Sequence, residues 1–510
     1  MSSRHILAAV IGVAGLLTAS SPSWSQPAAK SAAAAAAPVV KVRQGQLNGA
    51  QAGEVASYLG IPYAAPPVGD LRWRAPKAAA NWSGARDATK PGATCFAAED
   101  CLFLNVYKPA SANAGAKLPV MVWIHGGSFT GGSGMNGFGA NHDGTEFAKK
   151  GVVTVTINYR LGRAGWFAHP ALTREAGAEP TANFGNMDQI AALKWVQANI
   201  AAFGGDPKNV TVFGESAGGI SVSYLMLAPQ ARGLFAKAIQ ESGFGRSTPA
   251  TLAVAEGYGK RVSDLNNIKG DGPDAAAALR KLPIIGPAGD KAFPPSSGRS
   301  DVTRPYPIID GRLIKETVAE GFAKGHEAKV PYIAGGNSNE ASLYRPAAND
   351  LDAITDRREV LMAAFDPGRK GNKLQIINDL VTVQRITEPD RNLARKHTAN
   401  GAPTWNYYFS YLTPAQRATS LGAGHVAEIK YVFNGPGQNT LPEDWATGAS
   451  MNAYWAAFAK YGDPGAAGGP AWPKYDPSKE AVLEFSNEGP RVRAHLLKAQ
   501  LDYVEQGLAK

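Results

Sequence analysis

One stretch, Val210-Thr211-Val212-Phe213-Gly214-Glu215-Ser216-Ala217-Gly218-Gly219, constrains the fold more than any other part of the chain. Residues suited to a buried strand run into Gly-Glu-Ser-Ala-Gly, and a helix-compatible run over 220–227 follows. A strand that hands over to a helix in so few residues must turn sharply, and the central residue then takes a strained backbone conformation. Glycines two before and two after it leave room for the neighbouring strand and helix. The Ser216 hydroxyl is therefore expected at the C-terminal end of the strand and the N-terminus of the helix, where backbone N–H groups point outward. No other serine in the chain has glycine at both −2 and +2. A small-residue turn that only packs a helix on a strand would use the same glycines. The flanking strand and helix favour a nucleophile instead.

Around this turn the apolar patterning alternates between strand and helix. Strands are predicted over 118–124, 152–159, 210–213 and 235–239, and helices over 188–202 and 217–227. Later strands are read at 330–336 and 405–411. This order is that of an α/β protein with a mostly parallel central sheet. In the helix over 188–202, Ile190, Leu193, Val196 and Ile200 recur at three and four residues, which marks a core face and no site. An opening hairpin is predicted over 39–42 and 45–49, and a strand over 99–107. The proline-bearing stretch 60–69 reads as loop. The segment 248–299 is less regular and is expected to form part of a cap. No internal repeat is evident.

The first 25 residues read as a secretory leader: Arg4 supplies the positive charge, the apolar run 6–17 is too short to span a bilayer, and Ser23 and Ser25 stand at −3 and −1 of a cleavage site. Cleavage after Ala28 or Ala29 is the alternative. The Ala-rich stretch 26–38 reads as a flexible tether, and 39–510 as one catalytic domain. With 44% hydrophobic and 18% charged residues, the chain has ample material for a core. The formal net charge of +10 comes from scattered residues with no basic arm, so a nucleic-acid partner is not expected. No later stretch resembles a membrane span. Location is expected to be secreted or periplasmic. In an exported chain, the only two cysteines, Cys95 and Cys101, most simply form a disulfide. Their spacing and surroundings do not suit zinc. Gly132 to Gly137 matches a dinucleotide-loop pattern but lies in a long Gly-rich loop, away from any strand-to-helix turn, and is discounted.

A serine hydroxyl needs a base to take its proton, and the base needs a group to hold its tautomer. With an elbow of this kind the order along the chain is Ser, then Asp or Glu, then His. Of eight histidines, only His326, His397, His425 and His495 follow Ser216. Among these His425 fits best, past a predicted strand on a Gly-rich loop. Glu340 follows another strand end within the required interval. At the end of the strand over 118–124, His125-Gly126-Gly127-Ser128-Phe129 suits an oxyanion loop, because glycines let backbone N–H groups turn toward a ligand.

With these residues in view, the chain resembles the type-B carboxylesterases, the family that includes cholinesterases and bacterial para-nitrobenzyl esterases. The resemblance runs from about Gly45 to the C-terminal region. It is carried by Gly60-Ile61-Pro62-Tyr63, Glu99-Asp100-Cys101-Leu102, Phe203-Gly204-Gly205-Asp206-Pro207, the elbow itself, and Trp455-Ala456-Ala457-Phe458-Ala459. It implies an α/β-hydrolase fold with helical cap insertions and cleavage of small-molecule carboxylic esters through an acyl-serine, with no cofactor and no metal. It also implies Ser216 as nucleophile, Glu340 as acid, His425 as base, and the N–H groups of Gly127, Ser128 and Ala217 as oxyanion donors. The chain departs from the family at Ser128, where a third glycine is frequent, and in the five-residue span between its cysteines, which argues against choline esters. Oligomeric state is not legible. The rival reading is a non-catalytic binding module on the same fold.

Overall fold

The computed structural model describes residues 38–137, 139–293, 305–437 and 440–508. The leader and nearly all of the tether lie outside these residues. Eleven strands form one sheet: β1 (Ala50–Ala52), β2 (Val55–Pro62), β3 (Phe103–Pro109), β4 (Leu118–Ile124), β5 (Val153–Ile157), β6 (Gly205–Glu215), β7 (Lys237–Glu241), β8 (Tyr332–Asn337), β9 (Thr404–Phe409), β10 (Val482–Ser486) and β11 (Gly489–Arg493). Their spatial order is β1-β2-β3-β5-β4-β6-β7-β8-β9-β10-β11. From β5 to β10 every pairing is parallel, while β1 to β3 and β11 add antiparallel edges. This is the α/β-hydrolase fold. The central strands are buried on both faces, which explains their near-continuous runs of Val, Ile, Phe and Trp. The opening hairpin, Val39–Val42 with Gly45–Asn48, joins Ala85–Asp87 in a separate three-stranded sheet.

Helix α1 (Phe184–Asn199) buries Ile190, Leu193 and Val196 against the sheet, and Ile200 begins a short 3-10 turn that continues it. Helix α2 (Ala217–Leu227) starts directly after Ser216. Two expectations are corrected. The first three residues of the stretch 60–69 predicted as loop, Gly60 to Pro62, are the end of β2: a bulge between Tyr58 and Ile61 absorbs the irregular residues, and Pro62 pairs with Phe103. Proline is tolerated there because it closes the strand. The segment expected to be irregular carries three helices, α3 (Leu252–Leu265), α4 (Pro273–Arg280) and α5 (Gly286–Ala292). The small residues that weakened the periodicity of α3 permit a close approach: a Cβ on Gly259 would lie 1.9 Å from the Ala168 carbonyl oxygen.

Cys95 and Cys101 are joined as a disulfide. Within that loop Glu99 holds Arg72 at 2.5 and 2.7 Å, and Arg72 also donates to the carbonyls of Arg280 and Leu282 at 2.6 Å. The disulfide loop is thereby tied to the end of α4. Among the described residues no helix is long and apolar enough to cross a membrane.

Candidate active site

At the end of β6 the backbone of Ser216 adopts φ 55° and ψ −118°, a conformation that costs free energy in a residue with a side chain. Its neighbours over-determine it. The Ser216 N–H donates to the Glu241 carbonyl at the end of β7, 2.9 Å away, and the Ser216 carbonyl accepts from Ile220 in α2. The elbow also lacks room for other residues. A Cβ on Gly218 would sit 1.9 Å from the Ile124 carbonyl oxygen, and one on Gly214 would sit 2.5 Å from the same atom.

The loop after β4 runs against this turn: a Cβ on Gly126 would stand 3.2 Å from the Ser216 Cβ. Gly127 has φ 114° and Ser128 φ 51°. The Gly127 carbonyl accepts from Thr130 and Gly131, which folds the loop back. Among the described residues the N–H groups of Gly127 and Ser128 have no acceptor. Ala217 opens α2, so its N–H has no partner within the helix. His125 is buried with its ring stacked on Tyr159 at 4.4 Å, and burial lowers its imidazole to about 4, so it stays neutral.

Glu340 and His425 arrive on two loops stitched to each other. The Asn339 N–H donates to the Ala423 carbonyl, the Ala423 N–H donates to Ser338 Oγ, and the His425 N–H donates to Ser342 Oγ. These bonds bring together residues far apart in sequence. His425 Nε2 lies 2.9 Å from Ser216 Oγ, and its Nδ1 lies 2.5 Å from Glu340 Oε2. The other Glu340 oxygen accepts from Ser242 Oγ at 2.6 Å and from the Asn337 N–H at 2.7 Å. Burial alone would raise the Glu340 carboxyl, but His425 and these donors hold it below its usual range.

Two further carboxylates stand close by. Glu215 Oε1 is 3.3 Å from His425 Nε2, yet neither of its oxygens has a hydrogen-bond partner among the described residues. Burial raises its carboxyl well above the usual range, against the opposing pull of His425. Glu428 accepts from Asn337 Nδ2 at 2.6 Å, and burial raises it to about 7. Burial would lower the His425 imidazole, but the surrounding carboxylates overcome that effect and raise it. Glu215 contributes most to this rise, followed by Glu340, which also accepts the hydrogen bond at Nδ1. Ser242, Asn337, Glu215 and Glu428 were not singled out from sequence. Glu215 sits inside the elbow motif and Glu428 three residues after His425, so both were within reach. Nothing local marked Ser242 or Asn337.

A cleft of about 1260 Å³ opens over Ser216. Aromatic rings line much of it, among them Phe129, Phe244, Phe293 and Tyr306. Phe244 packs edge-on against the His425 ring at 5.9 Å. Such rings accept apolar groups. Among the described residues no cluster of His, Cys, Asp and Glu has the arrangement to hold a metal ion.

Residues 36–364 and 348–504 match the family model described as the carboxylesterase family. The chain is 32% identical to fumonisin B1 esterase of Sphingopyxis macrogoltabida, with 88% of this chain and 86% of that protein covered. It is likewise 32% identical to carboxylesterase 5A of Canis lupus familiaris, over 90% of this chain and 87% of the other. Among solved structures it is similar to PNB esterase, with a TM-score of 0.76 at 29% identity, covering 91% of this chain and 99% of that one. The Geobacillus stearothermophilus carboxylesterase EST55 gives a TM-score of 0.75 at 30% identity over the same shares.

Proposed function

This chain belongs to the carboxylesterase family and is a carboxylic ester hydrolase; from that premise we propose that it is exported and works through an acyl-enzyme formed on Ser216. Ser216 Oγ attacks the ester carbonyl while His425 Nε2 takes its proton. Glu340 holds the Nδ1–H of His425, fixing the tautomer and stabilising the imidazolium. The N–H groups of Gly127, Ser128 and Ala217 face the developing oxyanion. As the tetrahedral intermediate collapses, His425 passes its proton to the leaving alcohol. Water then deacylates Ser216 by the same route. The sequence of steps draws on no cofactor.

The observation that carries this reading is the position of His425, in contact with Ser216 at 2.9 Å and Glu340 at 2.5 Å through its two ring nitrogens. Ser216→Ala should lower kcat by on the order of 10⁶-fold and abolish burst release of alcohol from an activated ester. An organophosphate should label Ser216 alone. A stable adduct on another serine, or turnover surviving in Ser216→Ala, would overturn the assignment.

Export is supported by the disulfide, a bond that persists in oxidising compartments. On this reading 1–25 is removed as a leader, 26–38 is a tether and 39–510 is the catalytic domain. Protein recovered outside the cytoplasm should begin at Gln26. An intact N-terminus would argue for retention.

A further inference from the structure

Among the described residues, matching the charges around the cleft leaves one arginine over. Four of the described arginines line it: Arg160, Arg163, Arg246 and Arg385. Arg160 is buried against Asp188, with two contacts of 2.7 Å. Burial raises the Asp188 carboxyl, and the bidentate contact with Arg160 works against that rise. Arg163 pairs with Asp290 at 2.8 Å, and Arg246 pairs with Glu388 through two contacts of 2.6 Å. The carboxylates that line the cleft, Glu99 and Asp290, are taken by Arg72 and Arg163. Arg385 is exposed and has no carboxylate partner among the described residues; its guanidinium lies over the Tyr344 ring, 5.1 Å from the centroid.

The backbone that carries Arg385 is unusual. Val383–Thr387 forms a π-helical turn, a distortion found mostly at functional sites. It packs directly behind the acid: Ile386 fills the space over Gly336, where a Cβ would meet its Cγ2 at 2.5 Å, and Thr382 Oγ1 accepts from the Ala341 N–H. Glu388 follows three residues later and holds Arg246, so both guanidinium groups belong to one wall. The Tyr344 ring packs against the guanidinium of Arg385, and both residues line the cleft.

We propose that the cleft takes esters bearing a free carboxylate, and that Arg385 is the residue that recognises the anion. The inference rests on Ser216 being the nucleophile of this same cleft. A planar guanidinium remains charged at any working pH and binds a carboxylate through two parallel N–H donors.

The test compares kcat/KM within two matched pairs. Phenyl hemisuccinate against phenyl butyrate places the carboxylate on the acyl side. 4-Carboxyphenyl butyrate against 4-carbamoylphenyl butyrate places it on the alcohol side. The wild-type enzyme should prefer the anion in at least one pair, and that pair identifies the part of the ester facing Arg385. Arg385→Ala should cut the anionic-to-neutral ratio by about tenfold or more, with Arg385→Lys retaining an intermediate ratio. Rising ionic strength should erode the wild-type ratio. Ratios unaltered by Arg385→Ala in both pairs would overturn the inference. If Ser216→Ala is inactive while those ratios stay unaltered, the esterase reading stands and only the anion site fails. If Ser216→Ala still turns over both pairs, the underlying reading fails.

Discussion

Ser216 pays a conformational cost that only its surroundings make bearable. The turn puts its hydroxyl at the helix start, and the His425 ring reaches it because two loops are bonded to each other. Glu340 is buried and accepts from Ser242 and Asn337 as well as from His425. Replacing Glu340 by Gln keeps the shape but removes the charge that orients the imidazole. Glu340→Gln is expected to lower kcat by on the order of 10⁴-fold with the fold retained. A near-normal kcat in a folded variant would point to a different acid. The carboxylates around His425, Glu215 first and then Glu340, set the pH dependence. On the proposed mechanism His425 must be neutral to act as base, and its imidazole is raised, so activity should fall as pH drops through a value above the ordinary ~6.5. The limb should appear in kcat/KM, which reports the free enzyme. A kcat/KM profile for folded protein that holds flat down to about pH 6 would contradict a raised base.

Among the elements, β6 and α2 carry the tightest constraint. The helix lies so close to β4 that Gly218 has no space for a side chain: its Cβ would stand 1.9 Å from the Ile124 carbonyl oxygen. Gly218→Ala must push α2 away from β4 or distort the elbow. Overpacking of this kind costs about 1–3 kcal/mol, and here the obstacle is backbone. Denaturant melts should show at least that loss, together with a lowered kcat. Unchanged values of both would mean that the elbow is looser than described. The strands and α2 were legible because apolar runs between glycines and prolines have few alternatives. The helices of the cap were not. In α3 the buried residues are Ala255, Gly259, Val262 and Ser263, and such small residues read locally as loop. Their helical role depends on the surface they pack against.

At the scale of the molecule, the disulfide loop, the cap and the cleft form one connected assembly. Cys95, Phe96 and Glu99 line the cleft, and Glu99 grips Arg72, which holds the end of α4. Removing the disulfide with Cys95→Ser and Cys101→Ser frees a short loop, for which chain entropy predicts a loss of about 2 kcal/mol. Because this loop shapes the cleft, KM for a neutral ester should rise as well. Calorimetry with steady-state kinetics on the double variant checks both. A lowered melting temperature with unaltered KM would separate the loop from the cleft.

The sequence by itself determined the fold class, the elbow and its serine, and the disulfide partners, because each rests on local rules: apolar periodicity, glycines demanded by a sharp turn, and two cysteines with no other partner. It favoured His425 among the four histidines that follow Ser216 and Glu340 from its place after a strand end, and the family resemblance named both. Only the tertiary structure decided which imidazole stands between a serine and a carboxylate, since residues 209 and 85 apart meet through hydrogen bonds between loops that leave no local pattern. It alone decided the directions in which the Glu215 and Glu340 carboxyls are shifted as well. Two glutamates with the same side chain are driven in opposite directions, one by burial without donors and the other by a histidine and two hydrogen bonds.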